Sequence, residues 1–264
     1  MISRLSDIHP DAKIGPNVHI DPFTMIHSNV EIGEGTWIGS NVTIMEGARI
    51  GKHCKIFPGA VISAIPQDLK YSGENTLTTI GDHTTIRECV TINKGTKALG
   101  KTQVGSHNLL MAYVHVAHDC VVGNNCILAN GATLAGHITI DDYAIIGGLT
   151  AIHQFVRIGS HVMISGGSLV RKDVPPFVKA AREPLCYVGI NSIGLRRRGF
   201  SDKAIAAIQD TYRLLFVKGH NTHTALAAIE AEVDALPERD DILNFIRSGT
   251  RGLMKGYGHS NPEE

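Results

Sequence analysis

An aliphatic residue recurs at every sixth position through most of the sequence. Counting in sixes from Ile2 to Val170 gives 29 positions, and 26 of them hold isoleucine, valine or leucine. A period of six matches neither the 3.6-residue period of an amphipathic helix nor the two-residue period of a strand with one buried face. It is typical of a solenoid in which each hexad forms one short flat side and then turns a corner.

The repeat predicts a prism of parallel β-strands. Three hexads close one triangular coil, stacked coils pair about 4.8 Å apart, and the aliphatic side chains point inward. Glycine often follows the aliphatic residue, as at Gly15, Gly33 and Gly39. Asparagine and aspartate recur nearby, as in IGPN, VGNN and IDDY. We expect glycine, asparagine and aspartate to adopt the tight or left-handed backbone conformations of the corners.

Two polar, glycine-containing segments, 63–79 and 93–103, interrupt the repeat and contain its exceptions, Asp68, Glu74 and Ala98. They are predicted to be loops ejected from the prism, and loops on rigid scaffolds often carry function. We therefore expect a β-helical domain over residues 1–170 that carries these two loops.

The period ends after Val170, and helical patterns follow a connector. Ser201 and Asp202 are suited to cap a helix that runs to about Lys218, and Thr224 can start a second helix that ends before Pro237. A third helix is predicted over 238–248. Residues 171–264 are therefore expected to form a connector and a C-terminal helical domain.

Composition narrows the functional class. Lysine plus arginine equals aspartate plus glutamate, 25 each, so the bulk charge indicates no nucleic-acid partner. No apolar run approaches a membrane span and the N-terminus lacks a signal-peptide core, so we predict a cytoplasmic protein without a transmembrane segment. The five cysteines form no CxxC pair and are expected to be free thiols in a reducing compartment.

Four histidines should cluster along one edge of the prism. The column residues Val116, Leu134 and Ile152 are spaced by three hexads, so they should stack on one face in successive coils. Because the columns occupy the interior, the neighbouring histidines are expected to face outward. They are His115, His118, His137 and His153.

Two chemistries are open to this cluster. Three neutral histidines could bind zinc or a related ion. Alternatively, one histidine oriented by a carboxylate could act as a general base, with His118 as the base and the adjacent Asp119 as its partner. The absence of a compact ligand motif such as HxxxH favours the base.

The run from Leu109 to Gly159, which contains HVAHDC, matches a known family, as do IPQDLKYSGE in the first loop, DVPP at 173–176 and GLRRRGFS at 194–201. Over nearly its full length the sequence resembles the UDP-N-acetylglucosamine O-acyltransferases, hexapeptide-repeat enzymes. The resemblance implies a left-handed parallel β-helix of hexapeptide repeats with a C-terminal α-helical domain. It also implies transfer of a 3-hydroxyacyl chain from acyl carrier protein to the 3-hydroxyl of UDP-N-acetylglucosamine, the first step of lipid A biosynthesis, by a homotrimer that needs no cofactor or metal.

The resemblance implies roles for individual residues. His118 matches the base that takes the proton from the sugar hydroxyl, Asp119 matches its orienting carboxylate, and Gly136 matches the glycine whose N–H stabilises the oxyanion. Gly166 matches the position that limits acyl length, and a glycine there leaves the groove open for a long chain. The implied substrate contacts are Asp68, Lys70, His115, His137, His153, Gln154 and, at the diphosphate, Asn191 and Arg198.

The sequence departs from the family's pattern at three places. Asn93-Lys94 replaces His-Arg after VTI, the segment 180–191 lacks a GNHA-type run, and Ile193 replaces an acidic residue. These departures affect the nucleotide contacts rather than the base. Residues 171–218 carry ten Lys/Arg against four Asp/Glu, an excess that would suit an acidic carrier protein.

Three alternatives compete with this function at the level of sequence. The N-acyltransferase of the same pathway would require an additional N-terminal uridine-binding domain, for which a repeat that begins at Ile2 leaves no room. A γ-class carbonic anhydrase or another metal-binding β-helix would use the histidines as ligands. A non-catalytic scaffold would use the solenoid only as a surface.

Overall fold

A computed structural model describes residues 1–256 of the chain, and within them short parallel strands form three sheets around a prism. In spatial order, sheet 1 contains Asp7–Ile8, Met25–Ile26, Thr43–Ile44, Val61–Ala64, Thr91–Asn93, His115–Val116, Thr133–Leu134, Ala151–Ile152 and Leu169–Val170. Sheet 2 contains Lys13–Ile14, Glu31–Ile32, Ala48–Ile50, Leu77–Ile80, Lys101–Val104, Val121–Val122, Thr139–Ile140 and Arg157–Ile158. Sheet 3 contains His19–Ile20, Trp37–Ile38, Lys55–Ile56, Thr85–Ile86, Leu109–Leu110, Ile127–Leu128, Ile145–Ile146, Met163–Ile164, Val178–Ala181, Cys186–Ile190 and Lys255–Gly256.

The predicted register is confirmed. Val116 pairs with Leu134, and Leu134 pairs with Ile152, so one coil takes three hexads. The column side chains are buried in the centre of the prism. The aliphatic column residues from Ile20 to Val170 therefore form one continuous core, whereas Ile2 is 48% exposed. The predicted fold class, a parallel β-helix followed by helices, is confirmed.

The prediction of left-handed corners is confirmed for asparagine but is wrong for the glycines that directly follow the aliphatic residue. The left-handed residue is the third after the aliphatic one, as at Asn17, with a φ of 58°, and His53, with a φ of 53°. Gly15 and Gly33 do not have positive φ angles. A Cβ on Gly33 would lie 2.6 Å from the carbonyl carbon of Gly51 in the next coil, so glycine is required there because two backbones approach closely.

Both loops leave the prism where sheet 1 turns into sheet 2, in successive coils. We call this edge the loop corner and the edge where sheet 2 turns into sheet 3 the stack corner. The strands extend into both predicted loop segments, because Ala64 pairs with Asn93 and Leu77 pairs with Lys101. The excursions are consequently shorter than predicted, and they are anchored to each other at both ends.

Sheet pairing continues beyond Val170. Val174 bridges to Ile158, and Val178–Ala181 pairs in parallel with Met163–Ile164 before Cys186–Ile190 folds back antiparallel. The division of the chain into domains at residue 170 stays a prediction. The five cysteines are free, as predicted, and burial raises the pKa of Cys120 and of Cys126 to about 12.

The helices pack against the end of the prism. Ser201 caps the helix Asp202–Phe216 as predicted. Asn221 caps the next helix, Thr222–Glu232, which therefore starts before Thr224. The buried hydroxyl of Tyr212 donates a 2.6 Å hydrogen bond to the carbonyl of Pro176 and ties the second helix to the prism. No helix within the described residues is long and apolar enough to cross a membrane. The helices are α1 (Ser192–Arg197), which was not predicted, α2 (Asp202–Phe216), α3 (Thr222–Glu232) and α4 (Pro237–Arg247).

Candidate active site

His118 and Asp119 lie at the loop corner, two and three residues after Val116. His118 is only 8% exposed and Asp119 only 1%. His118 faces outward from the prism as predicted, yet its side chain is not open to solvent. It points away from the core, but the two loops fold over the corner and enclose it, and Asp68 Oδ2 of the first loop lies 3.9 Å from His118 Nε2.

Asp119 is held by the second loop. Its carboxylate accepts hydrogen bonds from the Thr96 N–H (3.0 Å), the Thr96 hydroxyl (2.7 Å), the Leu99 N–H (3.2 Å) and His118 Nδ1 (2.8 Å). Its own N–H donates to Thr102 Oγ1. Burial raises the pKa of Asp119, but the hydrogen bonds from His118, Thr96 and Leu99 outweigh burial and hold it below its ordinary value. The carboxylate is therefore ionised and fixed.

The Asp119 carboxylate determines the tautomer of His118. An ionised carboxylate can only accept hydrogen bonds, so the 2.8 Å contact requires a proton on His118 Nδ1. The neutral ring then has its lone pair on Nε2, on the side that faces Asp68. This arrangement suits proton abstraction by Nε2, with Asp119 stabilising the imidazolium that forms.

Gly136 lies against the His118 ring in the next coil. A Cβ there would be 2.6 Å from His118 Cε1 and 2.7 Å from His118 Nε2, so any larger residue would displace the ring. Within residues 1–256, the Gly136 N–H makes no hydrogen bond to another protein group. Stabilisation of an oxyanion requires such a free backbone donor, and Gly136 lies next to the ring of the base.

His137 completes the enclosed cluster. It adopts a left-handed φ of 61°, stacks on Phe155 at 4.7 Å and meets the edge of His118 at 5.1 Å. Burial lowers the pKa of His137, the nearby Asp119 opposes that shift, and His118 adds to it. The ring therefore favours its neutral form next to the base.

Three residues of this cluster could approach a metal ion. The nearest ligand atoms of His118, Asp119 and His137 lie within 4.8 Å of one another. However, the Asp119 carboxylate already accepts four hydrogen bonds, one of them from His118 Nδ1. A carboxylate has about four lone-pair sites, so these hydrogen bonds leave Asp119 little capacity for an ion, and coordination through His118 Nδ1 would also displace its proton. The hydrogen bonds therefore favour proton transfer over metal binding.

Four of the predicted substrate contacts border the cluster at the loop corner. His115 is half-buried, shares a 2.7 Å hydrogen bond with the hydroxyl of Thr91, and has a pKa lowered by burial. In the first loop, the Lys70 N–H donates to Asp68 Oδ1 and the Lys70 side chain is exposed. His153 and its neighbour Gln154 lie one coil beyond His137, and His153 contacts Arg251 rather than another histidine.

The remaining predicted residues lie at other corners in a single copy of the chain. Arg198 places its guanidinium over Tyr143 at the stack corner, 5.1 Å from the ring centroid. Asn191 is buried and caps α1, accepting from the Gly194 N–H and donating to the carbonyl of His161. Gly166 lies exposed where sheet 3 turns into sheet 1. One copy therefore does not bring these three residues to His118.

Sequence reasoning missed the residues of the second loop that hold Asp119. Thr96, Leu99 and Thr102 belong to the segment that leaves the loop corner one coil before Asp119. The place of this loop next to Asp119 in the register was the only sequence feature that could have indicated the contacts. Lys94, which the sequence marked only as part of a departure from the family's pattern, also lies at this corner. It precedes His118 by one coil, is only 8% exposed, and within the described part of the chain its ammonium group has no carboxylate partner.

Models of known protein families match three parts of the chain. A family model described as UDP-N-acetylglucosamine O-acyltransferase, domain 2, matches residues 173–254. A model described as bacterial transferase hexapeptide (six repeats) matches residues 101–136, and one for the GMPPB C-terminal domain matches residues 1–97.

Relatives and solved structures extend the match over most of the chain. The acyl-[acyl-carrier-protein]–UDP-N-acetylglucosamine O-acyltransferase of Janthinobacterium sp. (strain Marseille) is 45% identical over 201 residues, 74% of this chain and 77% of the relative. That of Thiobacillus denitrificans is 42% identical over 191 residues, 72% of this chain and 74% of the relative. A crystal structure of a UDP-N-acetylglucosamine acyltransferase from Bacteroides fragilis superposes with a TM-score of 0.96 at 54% identity, covering 97% of this chain and 100% of that one. At these identities and coverages, the chain belongs to the family of acyl-[acyl-carrier-protein]–UDP-N-acetylglucosamine O-acyltransferases.

Proposed function

We propose that this chain transfers a 3-hydroxyacyl group from acyl carrier protein to the 3-hydroxyl of UDP-N-acetylglucosamine, the first step of lipid A biosynthesis. The relatives are named for an O-acyl transfer between these two substrates. The observation that carries the proposal is the His118–Asp119 pair, whose 2.8 Å hydrogen bond leaves the lone pair of Nε2 beside the free N–H of Gly136.

The reaction follows from the positions of these atoms. His118 Nε2 takes the proton of the sugar hydroxyl as its oxygen attacks the thioester carbonyl, and a C–O bond forms. The carbonyl oxygen becomes an oxyanion, which accepts a hydrogen bond from the Gly136 N–H. When the intermediate collapses, the C–S bond breaks, and the imidazolium gives its proton to the departing thiolate. Asp119 stays ionised throughout and stabilises the imidazolium.

The loops hold the acceptor sugar in this scheme. Asp68 Oδ2, 3.9 Å from His118 Nε2, borders the position of the reacting hydroxyl and is suited to accept a hydrogen bond from a neighbouring hydroxyl of the sugar. Lys94 and Lys70 supply positive charge at the same corner. Because Lys94 has a largely buried stem and no carboxylate partner among the described residues, an anionic or polar group of the substrate would compensate its charge.

The proposal includes a homotrimer. Arg198 and Asn191 lie away from the loop corner in a single copy, so they can reach a substrate bound at His118 only if a neighbouring copy presents them. A flat outer sheet also needs a second wall to form a cleft. The excess of lysine and arginine over 171–218 would attract the acidic carrier protein, and we place the reaction in the cytoplasm, whose reducing conditions suit the free thiols.

The test is acyl transfer with purified protein. 3-Hydroxyacyl carrier proteins of several chain lengths are incubated with UDP-N-acetylglucosamine, and the acylated nucleotide sugar is quantified. We expect the wild type to transfer and His118→Ala to lower kcat by about 10²-fold or more. His83→Ala, at an exposed histidine of the stack corner, is the matched control and should keep full activity. No transfer by the wild type removes the proposed function, and full activity of His118→Ala removes the mechanism.

A further inference from the structure

The segment that follows α4 returns to the prism and is fixed there by backbone hydrogen bonds. The Asp173 N–H donates to the carbonyl of Gly252 at 2.9 Å, and the Met254 N–H donates to the carbonyl of Asp173 at 3.0 Å. Leu253 forms the corresponding β-bridge with Asp173. Residue 251 is therefore attached to the last coils of the β-helix rather than to the helical domain alone.

A second set of contacts fixes the same region through side chains. Asp173 accepts hydrogen bonds from the N–H and the Nε of Arg157, at 2.9 and 3.0 Å. The Arg157 guanidinium in turn donates to the carbonyl of Phe245 and packs over its ring, 4.3 Å from the centroid. Arg157 thus binds the end of α4 to the prism, and the position of the following segment is determined on both sides.

This anchoring brings Arg251 to His153 at the loop corner. Arg251 Nη2 lies 2.6 Å from His153 Nδ1. A guanidinium group only donates hydrogen bonds, so His153 Nδ1 must accept, and the neutral ring must carry its proton on Nε2. The carbonyl of Gln154, 3.2 Å from the same Nδ1, would favour the opposite tautomer. The contact with Arg251 is shorter and charge-assisted, so it determines the tautomer of His153.

The charge of Arg251 is left uncompensated by the residues that the structure describes. Within residues 1–256 no carboxylate lies within ion-pair distance of this guanidinium, and its Nε–H is buried without a hydrogen-bond partner. His153 lies in the coil next to Gly136, because the Phe155 N–H donates to the Gly136 carbonyl at 3.2 Å. His153 thus lies in the second coil after His118. A fixed Nε2–H donor and a cation without a carboxylate partner among the described residues are suited to bind an anionic or strongly polar oxygen of a ligand there.

We propose that Arg251 is a positioning residue for the acceptor substrate: it fixes His153 in the Nε2–H tautomer, so that His153 donates a hydrogen bond to an oxygen of the nucleotide sugar, and it adds positive charge beside that oxygen. The inference rests on the proposed function, since it names UDP-N-acetylglucosamine as the ligand. It concerns binding of the acceptor only and assigns Arg251 no part in proton transfer.

The test measures binding and turnover separately in the full-length protein. The dissociation constant for UDP-N-acetylglucosamine is measured by titration calorimetry, and KM for each substrate and kcat are measured in the transfer assay. We expect Arg251→Ala to weaken binding of the nucleotide sugar by about tenfold, with KM for the acyl carrier protein unchanged. Arg251→Lys keeps a charged donor and should restore most of the affinity. The matched control is Arg247→Ala on α4, which removes an exposed ion pair with Glu230 of α3. This variant should bind the nucleotide sugar as the wild type does.

A double-mutant cycle separates positioning from anchoring. If Arg251 acts through His153, Arg251→Ala should add little to the loss of binding already caused by His153→Ala. Equal effects of Arg251→Ala in both backgrounds would overturn the inference. Unchanged binding by Arg251→Ala would also overturn it, and so would a fall in Tm accompanied by equal losses for both substrates. A wild type that binds the nucleotide sugar without transferring the acyl group would remove the proposed reaction but leave the inference standing, whereas a wild type that does not bind it would remove both.

Discussion

Two corners of the prism place histidines at equivalent positions of the repeat, yet only one of them forms a candidate site. At the stack corner, His53, His83 and His107 occupy the left-handed position, remain exposed, and stack with centroids 5.1 and 4.9 Å apart. At the loop corner, Asp119 and His137 occupy the same position of the hexad, but Asp119 is fully buried and His137 partly buried. The repeat therefore supplies the position, and it does not by itself supply the chemistry.

The difference comes from the ejected loops. At the stack corner the exposed rings contact each other, and the chain turns directly from sheet 2 into sheet 3. At the loop corner, the second loop supplies the hydroxyl and N–H of Thr96 and the N–H of Leu99, all directed at one carboxylate. Enclosure and these donors turn a corner residue into the partner of a base.

Among the variants that compare the two corners, Asp119→Asn should lower kcat the most. An asparagine cannot offer an ionised acceptor to Thr96, Leu99 and His118 at once, so the tautomer of His118 is no longer fixed. We expect kcat to fall by about 10²-fold. The control is Asp142→Asn at the stack corner, where Asp142 Oδ1 accepts from the Asn124 N–H at 2.7 Å. Its kcat should stay within about twofold of the wild type; an equal loss in both variants would mean that the corners do not differ in function.

Thr96→Val should have a smaller effect in the same direction. It removes the 2.7 Å hydrogen bond from the hydroxyl to Asp119 but keeps the one from the N–H. We expect kcat to fall about fivefold, in proportion to the loss of one hydrogen bond to a charged group. Thr84→Val removes a 2.8 Å hydrogen bond to the carbonyl of Gly105 near the stack corner. It should lower the free energy of unfolding by about 1 kcal/mol and leave kcat unchanged. If Thr84→Val lowered kcat as much, the second loop would have no special role.

A further effect concerns stability and leaves turnover unchanged. His161 stands at the stack corner between Tyr143 and Phe177, where burial, assisted by the charge of Arg198, lowers its pKa from 6.5 to about 4. The folded chain keeps this ring neutral while the unfolded chain takes up a proton, so stability falls as the pH drops from 6.5 to about 4. Allowing for solvent screening of a partly exposed ring, we expect a loss on the order of 2 kcal/mol in the free energy of unfolding.

Denaturant unfolding at several pH values measures this loss. His161→Phe should flatten the pH dependence over the same interval, whereas His83→Ala should retain it. An unchanged slope in His161→Phe would assign the pH dependence to other groups.

Much of the fold could be predicted because it is periodic. The aliphatic column of the repeat predicted a coil of three hexads, and that register placed His118 and His137 at one corner before any contact was known. The conformation within each hexad could not be predicted in the same way. The glycine pattern marks where backbones approach closely, and the left-handed residue two positions later is often not a glycine.

The parts of the candidate site that escaped prediction are aperiodic. Thr96 reaches Asp119 from a loop whose path is set by its own turns, so the hexad register gives no position for it. Arg251 contacts His153 across 98 residues of sequence, through an anchor made by Arg157 and Asp173. No local pattern in the sequence encodes such a contact.

The loops also have a consequence for the lengths that the chain tolerates. Ile62 and Ile80 are three hexads apart where an ordinary step from sheet 1 to sheet 2 takes one, so the first loop adds the length of two hexads. Ile92 and Val104 are two hexads apart, so the second loop adds one, and the two loops together equal one full coil. Because the two loops together add one full coil, every residue of the repeat from Val116 onward lies on the face that an uninterrupted repeat would give it. Inserting or deleting a single hexad inside the coils would rotate every later residue by one face, whereas a change of three hexads would add or remove a layer. The position of His118 at the loop corner thus depends on the total number of residues in the coils and loops that precede it.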